Sequence, residues 1–399
     1  MTSSRKIRVA HIITRLIRGG ADENTVFTVL GMDRERYEVD ILAGHGSELS
    51  GFPIEIHRCT KIVPELVRDP HPIRDLIALA KITRLLRQGR YDLVHTHTAK
   101  AGFLGRLGAR LAGVPCVVHT LHGVTFHEQL SPLLRRAYIF LERIAAPLSD
   151  VLISVGEDVK GKYLRESIGR EDQYVTIPSG MDTVAFRRAR CSPDQARFPR
   201  RCEFGFEGEH MVVGMVSRLE PRKGYRYFFE ALARVSEDFP QVRALVVGEG
   251  EQGHELKSMA ADLGIGERVV FAGYRADIAE VIAAFDVALL TSLWEGLPRV
   301  LVQYALLEKP IVTFDVEGAR EVIDDGNSGY IVPLQDVDLL ADRLRQLLES
   351  ETLRRRLGVA ARERVEGRWD VDRMVAGIAE VYRRVESARI PEKELSASR

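Results

Sequence analysis

The chain has 399 residues, a length that predicts two domains and allows three. Its 57 lysines and arginines balance 57 aspartates and glutamates, so the formal net charge is zero and the composition gives no support for nucleic-acid binding. Hydrophobic residues make up 45% of the chain, yet no run of ten apolar residues occurs, which argues against a membrane-spanning helix.

The start of the chain and its cysteines predict a cytoplasmic protein. The first residues, MTSSRKIRVAHIIT, lack the apolar stretch and cleavage site of a secretory signal. Four cysteines without a CxxC pair do not form a disulfide framework, so we expect reduced thiols. The four are Cys59, Cys116, Cys191 and Cys202.

Short β-rich runs alternate with longer helical stretches along the first half of the chain. The predicted strands are 6–14, 38–43, 93–96, 116–120, 151–155 and 174–177. The helical stretches between them include 73–87, 102–112 and 132–145. Strands that are apolar throughout and alternate with helices indicate a parallel sheet with helices on both faces.

The pattern breaks at 187–210, where the sequence is first basic and then rich in glycine and proline. It then resumes, with predicted strands at 211–216, 242–247, 269–271, 287–290, 311–314 and 330–332. The predicted helices are 225–236, 254–263, 278–285, 299–307 and 337–349. We therefore expect two doubly wound α/β domains in tandem. Their bounds are 1–186 and 211–369, with a linker at 187–210, a last helix at 370–387 and a disordered tail at 388–399.

A glycine pair, Gly19 and Gly20, lies between the first predicted strand and a helical stretch. Glycine lets a ligand approach the backbone, and the N–H groups of a helix N-terminus attract phosphate. A plain tight turn explains the pair better when it is considered alone. The motif is not GxGxxG, so it gives no specific support for a nicotinamide cofactor.

The segment SRLEPRKG at 217–224 follows the first strand of the second domain. Arg218 offers a rigid fork to phosphate oxygens, and Lys223 offers a mobile point charge. Both cations would stabilise a diphosphate more strongly as it leaves than before the bond breaks. The alternative is a solvated basic turn beside Glu220.

The segment SLWEGLP at 292–298 forms another predicted strand-to-helix turn. Gly296 and Leu297 would present N–H groups to an anion, and Pro298 suits the first helical turn. Glu295 would accept hydrogen bonds from sugar hydroxyls. Alternatively, Glu295 only stabilises the positive end of the helix.

Histidines cluster in HTH at 95–97 and in HTLH at 119–122. His95 and His97 are two residues apart in a predicted strand, so their side chains would share a face. Zinc binding is one interpretation, but neither a cysteine pair nor an HExxH helix accompanies them. We favour histidines that hydrogen-bond a hydroxyl or accept a proton, and we expect no metal.

Basic residues recur along two predicted helices of the first domain. They would contact anionic lipid head groups or form an ordinary solvated face, and the second interpretation is slightly preferred. The residues are Arg74, Lys81, Arg84, Arg87 and Arg90 in one helix, and Lys100, Arg106 and Arg110 in the other.

In combination these motifs resemble the large retaining glycosyltransferase family 4. The stretches that carry the resemblance are 217–224, LWEGLPRVLVQYALLEKP, HIITRLIRGGADENT, HTHTAKAGFLGRLGARLAGVP, HTLHGVTFH and IPSGMD. They span the chain from about Arg8 to about Tyr382. The resemblance implies the GT-B fold, in which two Rossmann-like parallel-sheet domains face each other across a cleft, and a last helix that returns to the first domain.

The resemblance also implies roles for individual residues. His122 would touch the donor sugar near the reaction centre, Arg218 and Lys223 would bind the diphosphate, and Glu295 would contact sugar hydroxyls. The remaining donor-binding residues, which would lie against the phosphates, the sugar, the ribose or the base, are Gly19, Gly20, Gly248, Tyr274, Arg275, Gly296, Leu297, Pro298 and Gln303.

Gln303 departs from the family pattern, which has a second glutamate eight residues after the first. A carboxylate accepts hydrogen bonds from both ribose hydroxyls, whereas an amide has one acceptor oxygen and a donating NH2 group. We expect a loss of about 1–3 kcal/mol of nucleotide binding if nothing compensates. A catalytically weak pseudo-transferase subunit therefore stays open as an alternative.

The family resemblance predicts transfer of a sugar from a nucleotide diphosphate sugar, with UDP as the default base, to a saccharide or lipid-linked acceptor. The leaving phosphate would take the acceptor proton. No DxD pair stands out as a metal clamp, so we expect no metal or other cofactor. A nucleotide-sugar 2-epimerase is the main alternative. A phosphorylase would need a lysine site for pyridoxal phosphate, and the sequence gives no indication of one. The predicted location is cytoplasmic, with peripheral membrane contact and no nucleic-acid partner.

Overall fold

The computed structural model describes residues 5–17, 20–127, 130–191 and 193–390. The chain forms two compact units. The first contains the residues up to Met181 together with those from Asp370 onward, and the second contains Asp182–Trp369. The boundary thus lies five residues before the expected end of the first domain at 186, and the last helix belongs to the first unit.

The first unit is built on a seven-stranded parallel sheet. Its strands are β1 (Ile7–Ile13), β2 (Tyr37–Gly44), β3 (Thr60–Val63), β4 (Leu93–His97), β5 (Cys116–Leu121), β6 (Val151–Ser154) and β7 (Tyr174–Thr176). They lie in the order β3-β2-β1-β4-β5-β6-β7. Its helices are α1 (Gly20–Gly31), α2 (Ile54–Cys59), α3 (Pro72–Gly89), α4 (Ala99–Ala112), α5 (Pro132–Ala145) and α6 (Glu157–Arg165). The last helix of the chain, α16 (Val371–Arg389), completes the unit.

Helices cover both faces of this sheet, so most side chains of its central strands are buried on both sides. One core joins α1 and α16 to the sheet, and it contains Val9, Ile41, Val118, Val375 and Val385. The other core joins α3 and α4 to the opposite face, and it contains Ile12, Val94, Ile82, Leu104 and Val117. Alternate residues of each strand therefore face different helices.

The second unit is built on a six-stranded parallel sheet. Its strands are β8 (Met211–Val216), β9 (Val242–Val247), β10 (Val269–Phe271), β11 (Val287–Leu290), β12 (Ile311–Phe314) and β13 (Tyr330–Val332), in the order β10-β9-β8-β11-β12-β13. Its first helices are α7 (Val184–Cys191), α8 (Pro193–Glu203), α9 (Tyr225–Ser236), α10 (Gly253–Asp262) and α11 (Ile278–Ala283). They are followed by α12 (Arg299–Leu306), α13 (Ala319–Val322), α14 (Val337–Glu349) and α15 (Glu351–Val365).

The segment 187–210 differs from the irregular linker that the sequence suggested. Helices α7 and α8 occupy most of it. Two of the basic residues of the expected linker hold α8 against the rest of the second unit, because Arg197 and Arg201 both form ion pairs with Asp286. The predicted tail also begins later than expected, since α16 extends to Arg389. Residues 391–399 of the predicted tail lie outside the described residues.

Candidate functional site

The order of the strands in the second unit points to the ends of β8 and β11. The chain leaves β8 toward β9 on one side, and it later returns to place β11 on the other side of β8. In parallel α/β sheets, ligands bind beyond the carboxyl ends of the strands at such a change of direction. The loops that follow β8 and β11 contain the segments 217–224 and 292–298.

The loop after β8 is held against the end of β11. Residues Pro221–Lys223 form a 3-10 turn, and Gly224 follows with a φ of +63°. A Cβ atom on Gly224 would lie 2.1 Å from the carbonyl oxygen of Thr291. The Thr291 hydroxyl lies 3.2 Å from the Lys223 carbonyl and 3.0 Å from that of Gly224, and donates toward them. Only glycine fits this approach, which holds the backbone of Lys223 and Gly224 against the end of β11.

Lys223 and Glu295 form an ion pair where the two loops meet. The Lys223 ammonium donates a hydrogen bond to Glu295 Oε1, and Arg222 Nη1 lies 3.9 Å from Glu295 Oε2. Both side chains of the Lys223–Glu295 pair are only 11% exposed. Burial by itself raises the pKa of the Glu295 carboxyl, but the charges of Lys223 and Arg222 outweigh it and hold the pKa below its usual value. Glu295 is therefore ionised at neutral pH.

The ion pair continues into a short series of alternating charges. Arg222 donates to Glu220 at 2.9 Å, and Arg218 lies 3.5 Å from the same carboxylate. Three cations thus alternate with the carboxylates of Glu220 and Glu295, and Glu317 adds a third carboxylate at the Glu295 N–H. Arg218 is the most exposed of these side chains, at 46%. An arrangement of this kind attracts an anion to its exposed end.

Residues that follow β12 hold the loop from Glu295 to Pro298 in place. The Glu295 N–H donates to Glu317 Oε2 at 3.3 Å. Gly318 has a φ of +75°, and a Cβ atom there would lie 2.8 Å from the Gly296 carbonyl oxygen. Pro298 lies immediately before α12 and is therefore its N-cap, not its first helical residue.

Two further predicted residues lie beside this loop and in the helix after it. Leu297 follows Gly296 and is half-buried. Gln303 is also half-buried and lies within α12, eight residues after Glu295.

The loops after β9 and β10 bind to each other and to the loop after β8. Gly248 has a φ of +134°, and a Cβ atom there would lie 2.0 Å from the Ser217 carbonyl oxygen. Its N–H donates to the Gly273 carbonyl at 2.9 Å. The Tyr274 N–H donates to Glu249 Oε1 at 3.2 Å, while the Tyr274 side chain is 56% exposed. Gly248 and Tyr274 therefore lie on the same edge of the sheet as Lys223.

Arg275 has a structural contact that the sequence did not reveal. Its guanidinium forms ion pairs with Asp277 at 2.7 Å and with Glu203 of α8. Hydrogen bonds to these two carboxylates raise the pKa of Arg275 above its usual value. Arg275 was predicted to lie at the donor, in a segment that would contact the nucleobase largely through backbone groups, and its side chain links the loop after β10 to α8.

In the first unit, Gly20 begins α1 and is exposed. Among the described residues outside its own helix and its chain neighbours, no atom lies within 4 Å of the position that a Cβ would take. The approach of a ligand to the backbone requires open space of this kind. Gly19 lies outside the described residues. His122 follows β5 directly and is half-buried.

His11 is a member of the histidine cluster that the sequence analysis missed. It pairs in register with His95 across β1 and β4, and its side chain lies on the same face as those of His95 and His97. All three are fully buried. Burial lowers the pKa of His11 to about 3 and lowers the pKa of His95 and His97 well below the usual value. The three rings are therefore neutral.

One nitrogen from each of these three histidines lies within 4.8 Å of the others, a separation that a metal ion could bridge. However, the structure already assigns a hydrogen bond to both nitrogens of each ring. A metal would have to break several of these bonds. The observed arrangement is a hydrogen-bonded network instead.

Two family models match the chain, one in each unit. Residues 19–180 match the glycosyl transferase 4-like domain, and residues 200–364 match glycosyl transferases group 1. An Escherichia coli protein named UDP-Gal:alpha-D-GlcNAc-diphosphoundecaprenol alpha-1,3-galactosyltransferase is 29% identical over 351 residues, which cover 87% of this chain and 89% of that protein. EpsD of Bacillus subtilis (strain 168), which is named as a putative glycosyltransferase, is 30% identical over 321 residues. The aligned residues cover 79% of this chain and 82% of EpsD.

A solved structure with a similar fold contains a nucleotide. The crystal structure of Anabaena HepE in complex with UDP and glucose superposes with a TM-score of 0.79 at 25% identity, covering 95% of this chain and 100% of that one. HepE has also been solved in complex with UDP-glucose, with a TM-score of 0.78.

Proposed function

Because the chain belongs to the group 1 glycosyltransferases and has the GT-B fold, we propose that it transfers a hexose from a UDP-sugar to a lipid-linked saccharide and retains the anomeric configuration. The observation that carries this proposal is the buried Lys223–Glu295 pair at the end of β8 and β11. It provides a cation for a leaving phosphate beside a carboxylate for sugar hydroxyls. The name of the Escherichia coli relative supports the UDP donor and the diphosphoundecaprenol acceptor.

The proposed step breaks the bond between the sugar C1 and the β-phosphate oxygen and forms a bond from C1 to an acceptor oxygen. The acceptor proton passes to the departing phosphate, on the same face of the sugar, so that UDP leaves and the configuration is retained. Lys223, Arg222 and Arg218 stabilise the negative charge that grows on the phosphate. Glu295 and His122 hold the sugar while positive charge develops at C1.

In this proposal the backbone surface that the second unit offers the donor consists of Gly248, Gly296, Leu297 and Pro298. Gly20 of the first unit keeps its predicted role toward the phosphates. The nucleobase lies against the exposed Tyr274, and the ribose lies near Gln303. No metal is assigned to the reaction, since the proposal gives the cationic role to lysine and arginine side chains.

A donor screen without acceptor tests the proposal. The melting temperature and the release of nucleoside diphosphate are measured with UDP-, GDP-, ADP- and TDP-sugars, because a bound ligand stabilises the folded state. Stabilisation by a UDP-sugar with slow release of UDP is expected. Conversion to an isomeric nucleotide sugar would indicate the epimerase. Binding without turnover, even when a lipid-linked acceptor is added, would indicate a pseudo-transferase. Stabilisation by a different nucleotide would replace the UDP assignment.

We further propose that the protein meets its lipid-linked acceptor at the cytoplasmic face of a membrane. Among the described helices, none is long and apolar enough to cross a bilayer. Helix α5 nevertheless carries an apolar stripe on its exposed side, with Leu133 81% exposed and Phe140 62% exposed. The exposed Arg136 and Arg143 flank this stripe. Apolar residues flanked by arginines are typical of a helix that lies on an anionic bilayer.

Helix α3 presents a similar surface in the same layer of the first unit, where both helices pack against α4. Ile73 and Leu76 are each 69% exposed on α3. A groove of about 580 Å³ runs between α3 and Leu111 of α4, and its lining includes Leu76, Arg84 and Arg87. The charges suit lipid phosphates and the groove suits an acyl or prenyl chain.

Vesicle sedimentation tests the membrane contact. The full chain should pellet with vesicles that contain anionic phospholipid and much less with zwitterionic vesicles. The double variant Leu133→Ser/Phe140→Ser should weaken binding. The control Val184→Ser/Phe198→Ser removes two exposed apolar side chains from the second unit and should not. Equal loss in both variants would contradict the assignment of α5.

A further inference from the structure

A continuous series of hydrogen bonds crosses the face of the first sheet that α16 covers. We call it the histidine chain. It begins at a threonine, passes through three buried histidines and a tyrosine, and ends at the histidine beyond β5. In order, its members are Thr120, His95, Tyr382, His11, His97 and His122.

The inner part of the histidine chain joins strand β5 to α16. His95 Nε2 lies 2.7 Å from Thr120 Oγ1, and His95 Nδ1 lies 2.7 Å from the Tyr382 hydroxyl. The same hydroxyl lies 3.1 Å from His11 Nε2. Thr120, His95, Tyr382 and His11 are all buried.

The outer part leads to His122. His11 Nδ1 lies 2.9 Å from His97 Nε2, and His97 Nδ1 lies 3.0 Å from His122 Nε2. These five links involve only imidazole and hydroxyl groups. Since no link involves a carboxylate, a protonated ring inside the histidine chain would have no counter-charge there, and burial keeps His11, His95 and His97 neutral.

Neutrality makes the links depend on one another. A neutral imidazole has one N–H donor and one acceptor nitrogen, so a ring that accepts from one neighbour must donate to the next. A hydroxyl can accept two hydrogen bonds, but if Tyr382 accepted from both His95 and His11, its own buried proton would have no acceptor among the described residues. Two arrangements then satisfy all five links. Either every proton points from Thr120 toward His122, or every proton points the other way.

The threonine at the inner end decides between the two arrangements. Within the described part of the chain, the Thr120 hydroxyl makes one hydrogen bond, which is the one to His95. If His95 donated to Thr120, the hydroxyl proton would be buried without an acceptor. If Thr120 donates, only lone pairs of its oxygen lack a partner. Protein interiors tolerate an unused lone pair better than a donor without an acceptor.

We infer that the histidine chain holds His122 in the tautomer that carries its proton on Nδ1. Thr120 donates to His95 Nε2. Each following group then donates a hydrogen bond to the next member of the chain, and the last of these bonds runs from His97 Nδ1–H to His122 Nε2. His122 therefore presents an N–H group from Nδ1 and acts as a hydrogen-bond donor, not as a base. His97, His11, Tyr382, His95 and Thr120 are positioning residues. What His122 donates to rests on the proposed function, in which the acceptor is an oxygen of the donor sugar.

Nitrogen NMR of the full chain tests this directly and needs no turnover. Long-range ¹H–¹⁵N correlation spectra of ¹⁵N-histidine-labelled protein are recorded at pH 8, and His122 is assigned by the signal that His122→Asn removes. We expect a protonated Nδ1 and an unprotonated Nε2 in His122, and the same in His95, His11 and His97. A protonated Nε2 in His122 would overturn the inference even if the protein proves to be an active transferase.

A matched pair of variants at His97 tests whether the histidine chain controls His122. His97→Asn places an amide NH2 near the position of Nδ1, so it can still donate to His122, whereas His97→Leu has the same size and cannot donate. His97→Asn should preserve the Nδ1–H signal of His122. His97→Leu should allow the other tautomer to appear and lower kcat about tenfold or more, because a misplaced histidine proton disables its role, with little change in the KM for the donor. Identical His122 spectra in the two variants would contradict the inference that the histidine chain determines the tautomer of His122.

A titration with Zn²⁺ separates the hydrogen-bonded chain from a metal site. Under the inference, one equivalent leaves the ¹⁵N signals of His11, His95 and His97 unchanged. Metal that stays bound after passage over a chelating resin and shifts all three sets of signals would overturn it.

Discussion

Lys223 and Glu295 are 72 residues apart in the sequence, yet the ammonium of one donates directly to the carboxylate of the other. The contact exists because β11 lies next to β8 in the sheet, so that the loops after these two strands meet. An incoming phosphate would compete with Glu295 for the same ammonium. The pair therefore holds the lysine in position before the donor arrives.

Removal of Lys223 should abolish most of the activity while the fold survives. For Lys223→Ala we expect kcat to fall by about 100-fold or more, since a single group that stabilises a leaving anion contributes on this scale. The measurement is steady-state release of nucleoside diphosphate in the presence of acceptor. Arg226→Ala is a matched control, because Arg226 is an exposed cation three residues further along the chain that pairs with Glu230. Similar losses in both variants would refute a specific role for Lys223.

Gln303→Glu should tighten nucleotide binding. A carboxylate can accept from both ribose hydroxyls, and one added hydrogen bond to a charged group corresponds to about 1.5–3 kcal/mol, or roughly 10- to 150-fold in Kd. Calorimetric titration with UDP measures the change. Gln88→Glu introduces the same charge on the exposed surface of α3 and should leave Kd unaltered. A weaker or unchanged affinity for Gln303→Glu would place the ribose elsewhere.

Breaking the buried ion pair between Arg106 and Glu142 should destabilise the first unit. The two side chains are 1% and 6% exposed, and Arg106 Nη2 donates to Glu142 Oε2 at 2.9 Å. Glu142→Ala leaves an unpaired buried guanidinium, which costs about 3–5 kcal/mol. Urea unfolding should show this loss.

Two further variants make the test of this pair specific. Glu157→Ala removes an exposed carboxylate that lies 3.9 Å from Lys160 and should change the free energy of unfolding by less than about 1 kcal/mol. The double variant Arg106→Met/Glu142→Leu removes both charges and should be more stable than Glu142→Ala. If it is not, packing rather than charge governs this position.

The first unit should lose stability as the pH falls below about 6.5. The pKa values of His11, His95, His97 and His119 are all lowered in the folded state, chiefly by burial, and His11 falls to about 3. The unfolded chain binds protons at these sites below about pH 6.5, whereas the folded chain does not. These histidines therefore contribute to stability above about pH 6.5, which is the pKa of a histidine in the unfolded chain. At pH 5.5 the free energy of unfolding should be lower by about 1.4 kcal/mol per histidine.

Unfolding free energies measured between pH 8 and pH 5.5 check this dependence. The slope near pH 5.5 should correspond to an uptake of three to four protons on unfolding, roughly one per buried histidine. A flat dependence would mean that the buried rings are charged in the folded protein.

The sequence predicted both sheets and singled out the two loops that meet at the Lys223–Glu295 pair, but it did not predict the contacts that depend on strand order. Runs of apolar residues identified twelve of the thirteen strands that the structure describes, and they missed β3, whose middle residues Lys61 and Ile62 are exposed at the edge of the sheet. Lys223 and Glu295 were each predicted as ligand groups, whereas their ion pair follows from the adjacency of β8 and β11.

His11 and the segment 187–210 show why the remaining features could not be read from the sequence. His11 lies in an apolar run that reads as an ordinary core strand, and only its register with His95 reveals a cluster. The basic residues of α8 find their partner in Asp286, more than eighty positions later in the chain. A local pattern contains neither relationship.

The division of the chain has a consequence for synthesis on the ribosome. Met181 and Asp370 pair as an isolated bridge, and everything between them belongs to the second unit. The second unit can therefore complete its fold while the first still lacks α16, and with it Tyr382. A message truncated shortly before codon 370 would yield an intact second unit attached to a first unit that lacks one of the helices covering its sheet. In that first unit, His95 and His11 would also lack the Tyr382 hydroxyl. Chaperones and proteases would then recognise an incompletely folded amino-terminal unit, although the missing residues belong to the carboxyl-terminal end of the chain.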